Sequence, residues 1–308
     1  MPPDTIGYSI GNTPLVPLKG IRDRGPCILV KLEQFNPGGS IKERIAATMI
    51  AEAEARGDLR PGMAIVESSS GNTAVGLAMV GRLKGYRVYA VCDRNVPAAK
   101  LSRISALGGH IVYLPPTPEG FDTVELRIAL AERIAEQLPS AISAAQFSNP
   151  DNPLAHERAT GPEIWAQTKG KVTRIVAAVG TCGTVTGVGR FLKTCNPNIQ
   201  VRAVEPYGST IFGGPRGNFL IQGGGLSFTP RILDKGVVDT HSRVGDTEAI
   251  AAIYRFAHSN GLLVGGTAGW VLHDLYALSN TADPDEVIVG ILPDGGDRYL
   301  DDLQSSLA

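Results

Sequence analysis

The sequence predicts an α/β protein whose strands lie mainly in parallel sheets. Three observations carry this. Short β-rich runs alternate with longer helical runs along the chain, which is the pattern of βαβ units. Runs such as "RIVAAV" are apolar with no polar alternation, as strands buried on both faces must be. Several joints between strand and helix are glycine turns followed by hydroxyl residues, a composition suited to anion binding at a helix start.

In chain order, "ILVKLE" (28–33) reads as a strand and "SIKERIAATMIAEAEARG" (40–57) as a helix that stops at a glycine. "MAIVES" (63–68) is a strand, "NTAVGLAMVGRLKG" (72–85) a helix and "YRVYAVC" (86–92) a strand. A helix over 98–109 and the strand "HIVYL" (110–114) follow. "LPPTPEGFD" (114–122) is a loop, and the helix over 123–138 puts Val124, Ile128, Ala131, Ala135 and Leu138 on one face. "QFSNPDNPLAHE" (146–157) is the best boundary candidate. A second series runs from the strand "TRIVAAVG" (173–180) through a helix near 184–194 to the strand "QVRAVE" (200–205). Glycine and proline crowd 206–230 too densely for regular structure. Helices near 246–260 and 268–280 and the strand "EVIVGIL" (286–292) complete the chain. The strand count suggests two sheets.

The chain has 308 residues, 43% hydrophobic, with a formal net charge of -1. That length supports one or two domains. No basic excess points to nucleic acid, and no apolar run is long enough to span a bilayer. The N-terminus has no basic region ahead of an apolar core, so no secretory signal is expected and the cytoplasm is the default compartment. The cysteines, Cys27, Cys92, Cys182 and Cys195, form no CxxC pair, which fits a reducing compartment. The histidines show no metal-ligand spacing, so no metal site is expected.

Lys42 opens a helix in "NPGGSIKERI" (36–45). The helix macrodipole is positive there, so a cation is least welcome. Ser40 and Glu43 have capping-box spacing. An ordinary lysine at such a site bends to water, whereas a Schiff-base lysine needs its amine kept neutral. The stretch "ESSSGNTAVG" (67–76) ends a strand and opens a helix, which suits a carboxylate or phosphate, or an ordinary cap. "VGTCGTVTGVG" (179–189) sets three threonines among glycines, a cup for phosphate. It lacks the GK[ST] of a P-loop. As a dinucleotide fingerprint starting at Gly180 it would need glycines where Cys182 and Val185 stand, although Glu205 lies where a ribose-binding acid could. Thr267 sits at another glycine-rich helix start, "LVGGTAGWVL" (263–272). His156 beside Glu157 reads as a solvated helix face.

These stretches together resemble one family, the pyridoxal-phosphate (PLP) enzymes of the tryptophan-synthase-β fold type, in the cysteine synthase and cystathionine β-synthase group. Its "NPxxSxK" is "NPGGSIK", its "TSGNT" is "SSGNT" (69–73), and its "GTGGTxTG" is "GTCGTVTG" (180–187). Its "QFxNPxNPxxHxxxTGPEIW" is "QFSNPDNPLAHERATGPEIW" (146–165). The likeness runs from "IGNTPLVPL" (10–18) to "PDGGDRYL" (293–300), nearly the whole chain.

The resemblance implies two αβα domains with PLP in the cleft between them. A smaller, mobile substrate-binding domain would span 39–148. A larger phosphate-binding domain would take 1–38 and 149–308. Lys42 would hold PLP as an internal aldimine and Asn72 would contact its 3′ oxygen. Gly180, Thr181, Cys182, Gly183 and Thr184 would bind its phosphate, and Thr267 would face the pyridine nitrogen. Ser69, Ser70, Gly71, Asn72, Thr73 and Gln146 would hold the substrate carboxylate. The implied reaction is β-replacement on O-acetyl-L-serine or O-phospho-L-serine through an α-aminoacrylate, with sulfide as nucleophile. The implied partners are small amino-acid substrates and a second copy in a homodimer, with no nucleic acid or membrane.

This sequence departs from the family pattern in places. Glu43 stands for an aspartate, Ala74 and Cys182 for glycines. "CDRNVPAAKLSRI" (92–104) lacks the Met-rich "MPETMSxERR" of sulfide users, and "GGGLSF" (223–228) replaces "GIGAGF". An amine nucleophile giving a 2,3-diaminopropionate-type product is therefore the alternative, and a nicotinamide dehydrogenase the distant one. Neither a haem-binding extension nor a regulatory tail is expected, which sets haem-containing cystathionine synthases aside.

Overall fold

A computed structural model of the chain describes residues 9–22, 25–117, 123–297 and 299, without the side chains of 99 and 100. Parts of the expected loop at 114–122 and of "PDGGDRYL" thus lie outside the described residues. By its contacts the chain divides into two units, Met1–Ile10 with Lys42–Ala155, and Gly11–Ile41 with His156–Ala308.

The smaller unit carries β3 (Ala64–Ser68), β4 (Arg87–Cys92), β5 (His110–Tyr113) and β6 (Ala141–Ser143). They form one parallel sheet in the order β5-β4-β3-β6. Its helices are α1 (Lys42–Arg56), α2 (Asn72–Leu83), α3 (Ala98–Ala106), α4 (Thr123–Gln137) and α5 (Asp151–Ala155). Every residue of the central strand β3 is buried, because α-helices cover both of its faces. Ile45, Met49 and Ile50 of α1 join Leu77 and Val80 of α2 over Ile65 in one cluster. Ala131 and Ala135 of α4 close the other face against Val66 and Val91.

The larger unit carries β1 (Leu15–Pro17), β2 (Cys27–Leu32), β7 (Arg174–Ala178), β8 (Gln200–Pro206), β9 (Thr240–Val244) and β10 (Val287–Leu292). Their order is β1-β2-β10-β7-β8-β9, with only β1 antiparallel to its neighbour. Here α6 (Gly161–Gln167) and α7 (Gly183–Cys195) precede α8 (Asp246–Asn260) and α9 (Gly266–Thr281). The helix α9 is the core helix of this unit: Trp270, Val271, Leu272 and Leu275 are fully buried. Lys31 of β2 is also fully buried, and its ammonium donates to Thr13 O at 2.7 Å, Glu163 Oε2 at 2.7 Å and Gln167 Oε1 at 2.9 Å. Three acceptors for three protons make that burial tolerable.

The strands β1, β6 and β9 are additions to the expected set. Each is at a sheet edge. Edge strands lack the double burial that makes a central strand legible: β6 is only "AIS", and β9 is the polar "THSRV".

Candidate active site

In the smaller unit, β3 ends at Ser68 and α2 begins at Asn72. The three residues between them form the turn. Ser69 Oγ accepts from the amides of Gly71 (3.2 Å) and Ala74 (3.3 Å), which folds the turn over the helix start. The first carbonyl of the helix ladder is that of Gly71, which accepts from Val75 N at 3.2 Å. The positive end of the helix therefore lies at this turn, a setting for a carboxylate.

Lys42 is the first residue of α1. The N-terminal ends of α1 and α2 meet. A Cβ on Gly76 would stand 3.1 Å from the Lys42 carbonyl oxygen and 3.3 Å from the Glu43 amide nitrogen. A glycine allows this approach without displacement, and it packs the backbone of Lys42 against the first turns of α2. The helix starts at Lys42, two residues later than expected, and Ser40 forms a β-bridge with Asp294. The Ile41 amide donates to Pro293 O at 2.8 Å, so the residue before Lys42 is tied by its backbone.

Gln146 closes the site from behind the turn. Its Oε1 accepts from Thr73 Oγ1 at 2.7 Å, and its Nε2 donates to Glu67 Oε1 at 3.2 Å and Ser68 O at 3.0 Å. The Gln146 amide also donates to Glu67 Oε2 at 3.1 Å. Glu67 is buried in β3, and burial pushes its carboxyl up to about 7, with the Gln146 bonds opposing that rise.

In the larger unit, β7 runs into the 180–184 turn and α7. Cys182 is the cap residue in the left-handed conformation, φ 68°, which a glycine would adopt without strain. The first ladder bond of α7 is Thr186 N to Cys182 O at 3.1 Å, so the amides of Gly183 and Thr184 lie at the outward-facing helix end. Burial pushes the Cys182 thiol far up, and the nearby Glu205 charge adds to the shift. That thiol is no nucleophile. The turn is walled by glycine. A Cβ on Gly180 would stand 3.1 Å from Gly223 O, and one on Gly224 would meet the Trp270 ring and Val179 O. Thr267, in the first turn of α9, lies on the same wall: its Cγ2 is 3.3 Å from the Cβ position of Gly224.

His156 is buried, not solvated as the sequence suggested. The segment His156–Thr160 is a π-helical turn, which rotates the ring inward. Its Nδ1 meets Thr160 Oγ1 at 2.9 Å and its Nε2 meets Thr184 Oγ1 of the 180–184 turn at 3.3 Å.

The structure thus gathers Lys42, Ser69, Ser70, Gly71, Asn72, Thr73 and Gln146 in one unit. It gathers Gly180, Thr181, Cys182, Gly183, Thr184 and Thr267 in the other. Glu205, the candidate ribose acid, is fully buried, accepts from Ser209 Oγ at 2.7 Å and pairs with Arg243 at 3.1 Å, so it serves the fold.

A model of the family described as "Pyridoxal-phosphate dependent enzyme" matches residues 6–294. The chain belongs to the pyridoxal-phosphate dependent enzymes. Its cofactor is pyridoxal phosphate, and the nicotinamide reading falls. Cystathionine beta-synthase of Apis mellifera is 39% identical over 97% of this chain, which spans 60% of that relative's length. Cysteine synthase 3 of Caenorhabditis elegans is 39% identical, covering 96% of this chain and 87% of its own. O-ureido-L-serine synthase superposes with a TM-score of 0.90 at 35% identity, over 96% of this chain and 93% of that one. O-acetyl serine sulfhydrylase isoform 3 of Entamoeba histolytica superposes at 0.91 and 37% identity, over 99% and 92%.

The PLP enzyme's residues fit the cofactor. A glycine-walled turn at a helix start suits a phosphate, and a side chain on Gly180 would press on the backbone of Gly223 and Gly224 that walls it. Among the described residues no cluster could hold a metal ion, and no helix is long and apolar enough to cross a membrane. No role was expected for Glu67, His156 was expected on a solvated face, and 223–228 stood out only as a departure from the family pattern. Glu67 left a signal: a carboxylate inside the otherwise apolar strand "MAIVES".

Proposed function

We propose that this enzyme performs β-replacement on an activated L-serine, O-acetyl-L-serine or O-phospho-L-serine, with sulfide as the nucleophile and cysteine as the product. The observation that carries the reading is the packing of the Lys42 backbone, at the start of α1, against Gly76 of α2, the helix that the 69–73 turn opens. The base and the carboxylate turn we assign thus belong to one packed pair of helices in the smaller unit. Relatives named cysteine synthase favour sulfide over the amine alternative.

Bound PLP supplies an electron sink for negative charge at the substrate Cα. We assign its retention to Lys42 and Asn72, its phosphate to Gly180, Thr181, Cys182, Gly183 and Thr184, and its pyridine nitrogen to Thr267. A hydroxyl there, unlike a carboxylate, does not hold that nitrogen protonated. The 69–73 turn takes the substrate carboxylate on its amides and hydroxyls, with Gln146 holding Thr73 in place. Lys42 removes the Cα proton and later returns one. Its place at the positive end of α1 favours the neutral amine that this role needs. The smaller unit is then the substrate-binding domain and the larger the phosphate-binding one.

We also assign a homodimer in the cytoplasm, which sedimentation and fractionation test. The direct experiment loads the purified enzyme with PLP and adds each activated serine. Sulfide, hydroxyurea or an amine follows, and products are read by mass. Cysteine from sulfide at the highest turnover supports the assignment. Faster product formation with an amine overturns the nucleophile, and no release of acetate or phosphate overturns the reaction.

A further inference from the structure

Glu67 touches neither substrate nor cofactor in the scheme above, yet both of its oxygens accept from Gln146, and the Ser68 backbone also donates to it. Oε1 and Oε2 accept from the side chain and the backbone of Gln146. An ionised carboxylate only accepts. The atom of Gln146 that faces Glu67 is therefore its nitrogen, and the oxygen is turned toward Thr73. Thr73 must then donate its proton to Gln146, at 2.7 Å. Proton order along Thr73, Gln146 and Glu67 is fixed from the buried end. All three side chains are more than nine-tenths buried, so no solvent competes for these bonds.

We propose that Glu67 is a positioning residue for the substrate turn: through Gln146 it pins Thr73, and so sets the affinity for the amino-acid substrate's carboxylate. This rests on the reading of 69–73 as the carboxylate site. The ionised form of Glu67 makes the pin. A protonated Glu67 carries no charge and its hydroxyl oxygen is a poorer acceptor, so its hold on the two Gln146 donors weakens, leaving Nε2 held by Ser68 O.

Glu67 titrates in a defined setting. Arg127 of α4 draws its carboxyl down, while burial pushes it up to about 7. Arg127 itself pairs with Asp93 at 3.1 Å. Glu132 of α4 lines the small cavity beside Glu67. The register neighbour on β4, Ala90, carries no charge, nor does Ser143 of β6, which lines the same small cavity. Above about pH 7 the pin is made, and it loosens as pH falls through that value.

The test uses the PLP-loaded enzyme and Glu67→Gln. At pH 8 the variant should raise KM for O-acetyl-L-serine about tenfold while kcat stays within about threefold. In a Thr73→Val background the same change should add nothing, because the chain is already cut. An unchanged KM at pH 8, or the full rise repeated in the Thr73→Val background, overturns the proposal. Should Glu67→Gln not fold, wild type and Thr73→Val are compared from pH 5.5 to 8.5 (a range of about three units around the group's titration). The ratio of their KM values should fall toward acid, and a flat ratio overturns the proposal. Hydrogen exchange of the 71–74 amides reads the pin without substrate. Faster exchange in Glu67→Gln, with no substrate response in wild type, would sink the proposed reaction and leave the pin standing. Unaltered exchange sinks the pin.

Discussion

At the scale of single residues, burial decides which groups are chemically available. Cys92 is buried, with its thiol pushed up to about 11 by desolvation, and Cys182 is raised further. Cys27 and Cys195 are exposed. Iodoacetamide at pH 8 (about half a unit below an ordinary thiol pKa) should label Cys27 and Cys195 and spare the other two, as peptide mass mapping would read. Labelling of Cys182 in the folded enzyme would contradict the assigned burial. Glu67 makes a second prediction, about stability. Its folded carboxyl titrates near 7 against a reference of 4.5. The folded state therefore binds the proton more tightly, and the group costs stability as pH rises from about 4.5 to about 7. Glu67→Gln removes that cost. Its stability relative to wild type should rise by up to about 3 kcal/mol between pH 5 and pH 8, measured by urea unfolding at both pH values. A constant difference would contradict the shift. Lys42, the 69–73 residues and the 180–184 turn were legible as candidates because each breaks a local habit: a lysine at a helix start, hydroxyls packed among glycines. Glu67 and His156 were not, since burial of a polar residue depends on partners far along the chain.

At the scale of elements, close approaches of backbone fix the geometry. Gly76 lets α2 reach the first turn of α1, so Gly76→Ala should move Lys42 by a few tenths of an ångström. Misplacement on that scale lowers kcat/KM by about tenfold or more, with folding intact by circular dichroism. A variant with unchanged kcat/KM would show that the contact yields without moving the lysine. Gly180→Ala presses on the Gly223 carbonyl in the same way and should weaken PLP retention, read by equilibrium dialysis. The buried Lys31 ties β2 to Glu163 of α6. Lys31→Met leaves that carboxylate unpaired and should cost about 3–5 kcal/mol of stability. The long alternation of strands and helices was readable because central parallel strands are apolar throughout. The edge strands β1, β6 and β9 were not, because half of each faces no partner strand. The start of α1 shifted for a related reason: Ser40 is held by Asp294, a partner more than two hundred residues away.

At the scale of the whole molecule, the residues assigned to the reaction fall in two parallel-sheet units, Lys42 and the 69–73 turn in one, the 180–184 turn and Thr267 in the other. The parallel sheets themselves were legible in the alternation of strands and helices. The nucleophile was less so, because "CDRNVPAAKLSRI" and "GGGLSF" depart from the sulfide-user pattern, and side-chain specificity is set by few contacts. The central claim is that Lys42 is the group that moves the Cα proton. The most direct measurement is acetate release from O-acetyl-L-serine by the PLP-loaded wild type and by Lys42→Ala, each with sulfide present and cysteine quantified. The account predicts one cysteine per acetate in wild type and a loss of at least about a thousandfold in Lys42→Ala. Acetate release by Lys42→Ala at the wild-type rate would contradict it.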